Sequence, residues 1–317
     1  MPMFSENKQK KSSKKPLRSK LLLEYLEFLR TYQGVSEATI AIRRHYVSPF
    51  LIELGKQAAP SKIGSISPYI IHDYIIKTAN PMHRASRKHL SSSLRSFFRF
   101  IYLKGYTSRN LVSAVPVIIT WKLDRLPRAI SWENVQKLLK APNRFKSSGR
   151  RDYAILQLIV TYGVRIGQVT QLKLRDIDWH GGLIHFKQCK KGKALTFPLK
   201  PKVINALLAY LRKDRGNATF PEVFLTVNRP IKPFSSNYRL GTSLMRYYKR
   251  AGIHSKVQGT HPIRHAFATR LMEQKVPIKT ISDLLGHRSI NTTFIYTKVD
   301  IPQLCLLIRE WPKEVTL

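Results

Sequence analysis

The stretch DYAILQLIVTYGVRIG, residues 152–167, decides the fold class. Its apolar residues Ile155, Leu158 and Ile159 recur at steps of three and four, the period of a helix with one buried face. That helix reaches Tyr162 and stops at a glycine-flanked turn that carries Arg165. A guanidinium beside an apolar helix end is unusual unless it has an anion to meet. Downstream the period changes. Residues Gly182 to Lys187 alternate as a strand, Lys191-Gly192 supplies a turn, and Leu195 to Leu199 returns, which predicts a hairpin inside an otherwise helical domain. Helices are expected to resume near Val203 and continue to the end. Upstream, Ser131 with Glu133 and Asn134 opens a helix toward Leu139, so this domain begins near Ala129.

The preceding residues predict a second, all-helical body. Leu22, Leu26 and Leu29 share a face, and Ser36 stands as N-cap before Ile40, Val47 and Leu51. Gly64 to Ser67 and Asn80-Pro81 bracket a third helix around Ile70 to Lys77. A fourth, about Arg87 to Leu103, gathers Leu90, Leu94, Phe97, Phe98 and Ile101 on one side and Lys88, Ser92, Arg95 and Arg99 on another. The stretch from Gly105 to Arg128, with Pro116 and Pro127 and no sustained helical period, connects the two bodies. Before them all, residues 1–20 hold seven Lys/Arg against Glu6 with almost nothing to bury, which describes a mobile basic arm.

Fifty-six Lys+Arg stand against 18 Asp+Glu in 317 residues, a formal charge of +38 that makes nucleic acid the first partner to consider. Charge alone does not separate a DNA enzyme from a basic structural protein, so a site must decide. Cys189 and Cys305 form neither a CxxC nor a metal-ligand pattern with histidine, so no zinc site or disulfide framework is expected, and a reducing cytoplasm fits. The apolar stretch Leu21 to Leu29 is interrupted by Glu24 and Glu27, unlike a signal peptide, and no run approaches transmembrane length.

Cutting a phosphodiester without a metal requires a nucleophile in line with phosphorus, cations against the equatorial oxygens and an acid for the leaving sugar oxygen. The chain offers the parts. Besides Arg165, Thr260 is an N-cap candidate for a helix in which His261 and Arg264, three apart, share a face. Further on, Leu284-Leu285-Gly286-His287 ends a helix on glycine, and Tyr296 follows nine residues later. Quoted together, YGVRIG, HPIRHAFATRL, LLGHRS and TTFIYTKV resemble, in order and separation, the active-site boxes of the tyrosine recombinases (phage integrases), in particular the Xer-like site-specific recombinases. The segment SLRSFFRFIYLKG is similar to the same family's helical core-binding domain.

The resemblance implies a mainly α protein with a small antiparallel β-sheet in the catalytic domain, the two domains forming a C-shaped clamp around DNA. It implies an arm at 1–20, a core-binding (SAM-like) domain at 21–115, a linker at 116–128 and a catalytic domain with a C-terminal helix at 129–317. Arg165 and Arg264 become the clamp on the scissile phosphate, and Tyr296 the nucleophile that forms a 3′-phosphotyrosyl bond. His261 helps move the tyrosine proton, His287 hydrogen-bonds the phosphate, and Lys190 in the hairpin turn is the general acid, with Lys191 and Lys193 as competitors. Lys88, Arg95 and Arg99 become DNA-binding residues. No cofactor and no metal is implied. The partners are double-stranded DNA and three further copies in a synaptic tetramer, the chain being a monomer free in solution. Leu304, Leu307, Ile308 and Trp311 form the apolar stripe of a short terminal helix, which ordinarily would pack in cis on its own domain but which the resemblance docks on a neighbouring protomer. One residue departs from the pattern: Gln168 stands where the family usually has Glu or Asp. That departure keeps a non-catalytic DNA-binding member open as an alternative, beside a relaxing enzyme of the type IB topoisomerase kind. Taken singly, His265 reads as a capping or core histidine and Arg270 as a solvated or DNA-backbone residue.

Overall fold

The computed structural model describes residues 20–119, 130–187, 194–234, 240–254, 259–287 and 289–293. The chain divides into two compact units, Met1–Trp121 and Lys122–Leu317.

The first unit is built from four helices, α1 (Lys20–Thr31), α2 (Glu37–Leu54), α3 (Pro68–Ala79) and α4 (Arg84–Leu103). Short polar side chains start them. Ser36 accepts from Thr39 N, and Ser67 accepts from Tyr69 N just ahead of Pro68, whose ring is preset for the first helical position. Helix α4 begins three residues earlier than its periodicity suggests, because the His83 imidazole serves as the cap by accepting from Ala85 N. Its apolar face is the centre of the unit. Phe97 and Phe98 are fully buried and meet Tyr25 of α1 edge-on at 5.4 Å and Phe50 of α2 at 5.7 Å between ring centroids. The expected connector starts later than Gly105, since Leu111 and Val115 belong to this core and Ser91 Oγ donates to the Pro116 carbonyl. Residues 120–129, which include most of the expected linker, and nearly all of the arm at 1–20 lie outside the described residues.

The second unit packs α5 (Trp132–Lys140), α8 (Pro201–Tyr210) and α10 (Thr260–Glu273) around α6 (Ser147–Tyr162), with α7 (Ile166–Thr170), α9 (Gly241–Arg250) and α11 (Ile278–Leu284) completing the helices described. The expected hairpin is present as β2 (Leu183–Phe186) and β3 (Leu195–Pro198), antiparallel with Ile184 opposite Phe197, and a two-residue strand β1 (Ile177–Asp178) extends it to three strands in the order β1-β2-β3. Ile184, Phe186, Leu195 and Phe197 all face the core, as strand alternation requires. Tyr162 fastens the sheet to α6: its hydroxyl donates to Pro198 O at 2.8 Å and accepts from Lys200 N, and its ring stacks on Phe197.

Helices do not run unbroken from Val203. After Gly216 the chain is irregular to Phe234, held by isolated bridges between Lys173 and Glu222 and between Leu225 and Pro233, because Pro221, Pro230 and Pro233 deny the segment helical hydrogen bonds. Asp152, fully buried on α6, steadies this region by accepting from Arg151 and from the Tyr247 hydroxyl of α9, while Arg151 donates to Leu225 O. Among the described residues no helix is long and apolar enough to cross a membrane.

Candidate active site

Two helix ends create the site. Gly163 terminates α6 in the left-handed region with φ +63°, and the glycine that follows Leu285 at the end of α11 turns with φ +59°. Each helix therefore presents carbonyls with no intrahelical partner at the negative end of its dipole. Arg264, one turn into α10 and only 5% exposed, fills both needs. Its Nη1 donates to Gly163 O at 2.5 Å, and its Nη2 donates to Leu285 O at 2.6 Å. Two helix termini thus receive a buried cation with oriented carbonyl dipoles. Arg165, half-buried at the N-terminal cap of α7, points Nη1 at the same Leu285 oxygen at 3.5 Å.

His287 joins them. Its Nε2 lies 3.1 Å from Arg264 Nη2 and its Nδ1 lies 2.8 Å from the hydroxyl of Thr293, which is fully buried. A guanidinium can only donate, so Nε2 is the acceptor and the proton sits on Nδ1, facing Thr293. Burial, reinforced by Arg264, Arg165 and His265, pushes the His287 pKa down to about 4. His265 is likewise lowered to about 4, by burial first and then by His261 and Arg264.

Gly163 is sterically constrained as well as left-handed. A Cβ there would meet the Phe267 ring at 2.4 Å and Leu285 at 3.1 Å. At Gly286 a Cβ would meet Leu195 at 3.2 Å, so the β3 end of the hairpin lies against the turn that carries His287.

Of the residues singled out in the sequence, Arg165 and Arg264 are brought to the Leu285 carbonyl and His287 is brought to Arg264. His261 lies one turn before Arg264 on the same helix but is exposed. Lys190, with its competitors Lys191 and Lys193, lies outside the described residues, as do Tyr296, both cysteines, and the terminal stripe Leu304, Leu307, Ile308 and Trp311. Thr260 is not the N-cap: Gly259 holds that position, and buried Thr260 is the first helical residue. On α4 the basic row is uneven. Lys88 and Arg99 are exposed, whereas half-buried Arg95 turns inward and donates through Nη1 to Val112 O and Val115 O. Arg270 is not simply solvated, since its guanidinium stacks on Trp132 at 4.3 Å. It lines a cavity of about 620 Å³ between α5, α6 and α10, together with Trp132, Tyr153 and Phe267. Sequence reasoning gave no part to Thr293, Phe267 or the Leu285 carbonyl. Only Thr293 left a trace, as a hydroxyl inside the TTFIY segment. No group of three or more metal-ligating side chains occurs among the described residues.

Fold and site together define the class, that of the site-specific DNA recombinases. The chain belongs to the phage integrase family, the tyrosine recombinases, whose family model matches residues 128–301. It is 29% identical to tyrosine recombinase XerA of Pyrococcus furiosus over 92% of this chain and 93% of that protein. Among solved structures it is similar to the XerH site-specific recombinase bound to a palindromic difH substrate, with a TM-score of 0.67 and 19% identity over 92% of this chain and 96% of that one. It is also similar to a lambda integrase tetramer bound to a Holliday junction, with a TM-score of 0.64 and 21% identity over 93% and 79%. At those identities the two structures bear on the fold alone.

Proposed function

We propose that this protein cleaves and rejoins double-stranded DNA through a 3′-phosphotyrosyl intermediate on Tyr296, using Arg165 and Arg264 to hold the scissile phosphate. The observation that carries the reading is the convergence of Arg165 and Arg264 on the Leu285 carbonyl, with His287 held against Arg264. An oxygen already receives both guanidinium groups there, and a non-bridging phosphate oxygen offers the same acceptor chemistry with a full negative charge.

In this mechanism the Tyr296 hydroxyl attacks phosphorus and loses its proton, with His261 assisting the transfer. The P–O bond to the 5′ oxygen breaks, and Lys190 protonates that oxygen as it leaves. Ligation is the reverse attack by a 5′-hydroxyl. Phosphodiester energy is retained in the protein–DNA bond, so neither ATP nor a divalent metal is called for. His287, neutral with Nε2 as an acceptor at rest, hydrogen-bonds the phosphate through Nε2 only once that nitrogen carries a proton.

The remaining parts follow the same reading. The units at 21–115 and 129–317 close around DNA as a clamp, the linker at 116–128 joins them, and exposed Lys88 and Arg99 contact the backbone. The terminal stripe docks on a neighbouring protomer in a tetramer on two sites. The experiment is trapping with a nicked suicide substrate. A covalent adduct from the wild-type chain supports the reading. Binding with no adduct would instead favour a non-catalytic DNA-binding member, and supercoil relaxation without rearranged products would favour a relaxing enzyme.

A further inference from the structure

We propose that Gln168 is a positioning residue that ties the Arg165 end of the clamp to the strand leading into the hairpin turn, and that this tie requires an amide. The inference rests on reading Arg165 as a clamp residue. Gln168 is 3% exposed. Its Oε1 accepts from Arg165 N at 3.0 Å, and its Nε2 donates to Lys187 O at 3.3 Å. Lys187 directly follows β2, three positions before Lys190. The hairpin is thus fastened near its base by Tyr162 to Pro198 and at its turn end by Gln168 to Lys187.

A carboxylate at position 168 could accept from Arg165 N, but it has no hydrogen to give Lys187 O. Facing a carbonyl with lone pairs in a buried position, it would push the strand end away. In this chain the amide is therefore fitted to its surroundings, and restoring an acid would not improve the site. The charged groups on adjoining elements among the described residues include Arg165 itself, Lys187 with its partner Asp176 at 3.8 Å, Lys173 and Arg175 in the turn that carries Asp176, and Arg150 and the Arg151–Asp152 pair at the other end of α6.

The test uses the full chain with Q168E and Q168M, the second being similar in length with neither hydrogen bond. Hydrogen exchange over 187–195 should rise at least several-fold in Q168M, while DNA affinity stays within about two-fold of wild type. Single-turnover cleavage by Q168M should fall about ten-fold or more at every pH. In Q168E the introduced carboxyl can donate to Lys187 O only while protonated. Burial raises its pKa, so the ratio of Q168E to wild-type cleavage should be near one at low pH and decline as pH rises. A ratio flat or rising with pH, or unchanged exchange in Q168M, overturns the proposal. If the wild-type chain forms no adduct, the clamp reading and the catalytic role fall together, while the exchange measurement still decides whether Gln168 holds the hairpin.

Discussion

Gly163→Ala should disable the site from behind. At φ +63° an alanine pays for the left-handed backbone with about 1–2 kcal/mol. Its Cβ would also lie 2.4 Å from Phe267 and 3.1 Å from Leu285, an overpacking typically worth about 1–3 kcal/mol more. The combined loss of about 2–5 kcal/mol is a large share of the stability of an ordinary domain. Gly182 supplies the control. Its φ is +64°, and a Cβ at that position would have nothing within 4 Å, so Gly182→Ala carries the backbone cost alone. Trp132, Trp179 and Trp311 lie in the second unit and Trp121 at the division, so tryptophan fluorescence in urea follows the unit that contains both glycines. Gly163→Ala should unfold at lower urea than Gly182→Ala by a difference of about 1–3 kcal/mol, and Phe267→Leu in the Gly163→Ala background should recover part of it. Equal stabilities for the two alanine variants would refute the steric argument. The functional corollary is sharper, because the Gly163 carbonyl holds Arg264. Cleavage should fall by more than DNA affinity.

Other outcomes follow from the same geometry. Tyr296→Phe should bind DNA normally and form no covalent complex in a denaturing gel. Arg264→Lys keeps the charge but cannot span Gly163 O and Leu285 O as a planar fork, so cleavage should drop at least about a hundred-fold with a smaller change in affinity. His265 and His287 are held below their unfolded value of 6.5, so the folded state binds fewer protons than the unfolded one. Their contribution to stability is full above about pH 6.5 and is lost as pH falls toward about 4, which melting curves across that window should register. Arg99→Ala should reduce the slope of log affinity against log salt by about one, whereas Arg95→Ala should leave that slope unchanged and cost about 1–3 kcal/mol of stability through its lost carbonyl bonds.

Helix starts were legible where a short polar side chain caps a regular apolar period, as at Ser36 and Ser131, and the hairpin was legible from alternation on both strands. Strand β1 was not, because two residues carry no period. The proline-rich return between Gly216 and Phe234 was missed because the length of a helical stretch was inferred from residues on either side of it. At the site, residue types and spacing pointed to Arg165, Arg264 and His287, yet nothing in the order of residues says that the two arginines share a backbone carbonyl. The same limit explains Arg95 and Arg99. They sit one turn apart on one helix face, and only the path of residues 111–115 turns the first inward.

Because Arg264 bridges the ends of α6 and α11, its anchors lie 101 residues before it and 21 residues after it in the chain. A chain still being synthesised, or one cut short before Leu285, already carries the basic helices of its first half but lacks this bridge. Such fragments carry the positive charge without an assembled arginine pair. The arginine pair is therefore complete only once both helix ends have closed on one guanidinium.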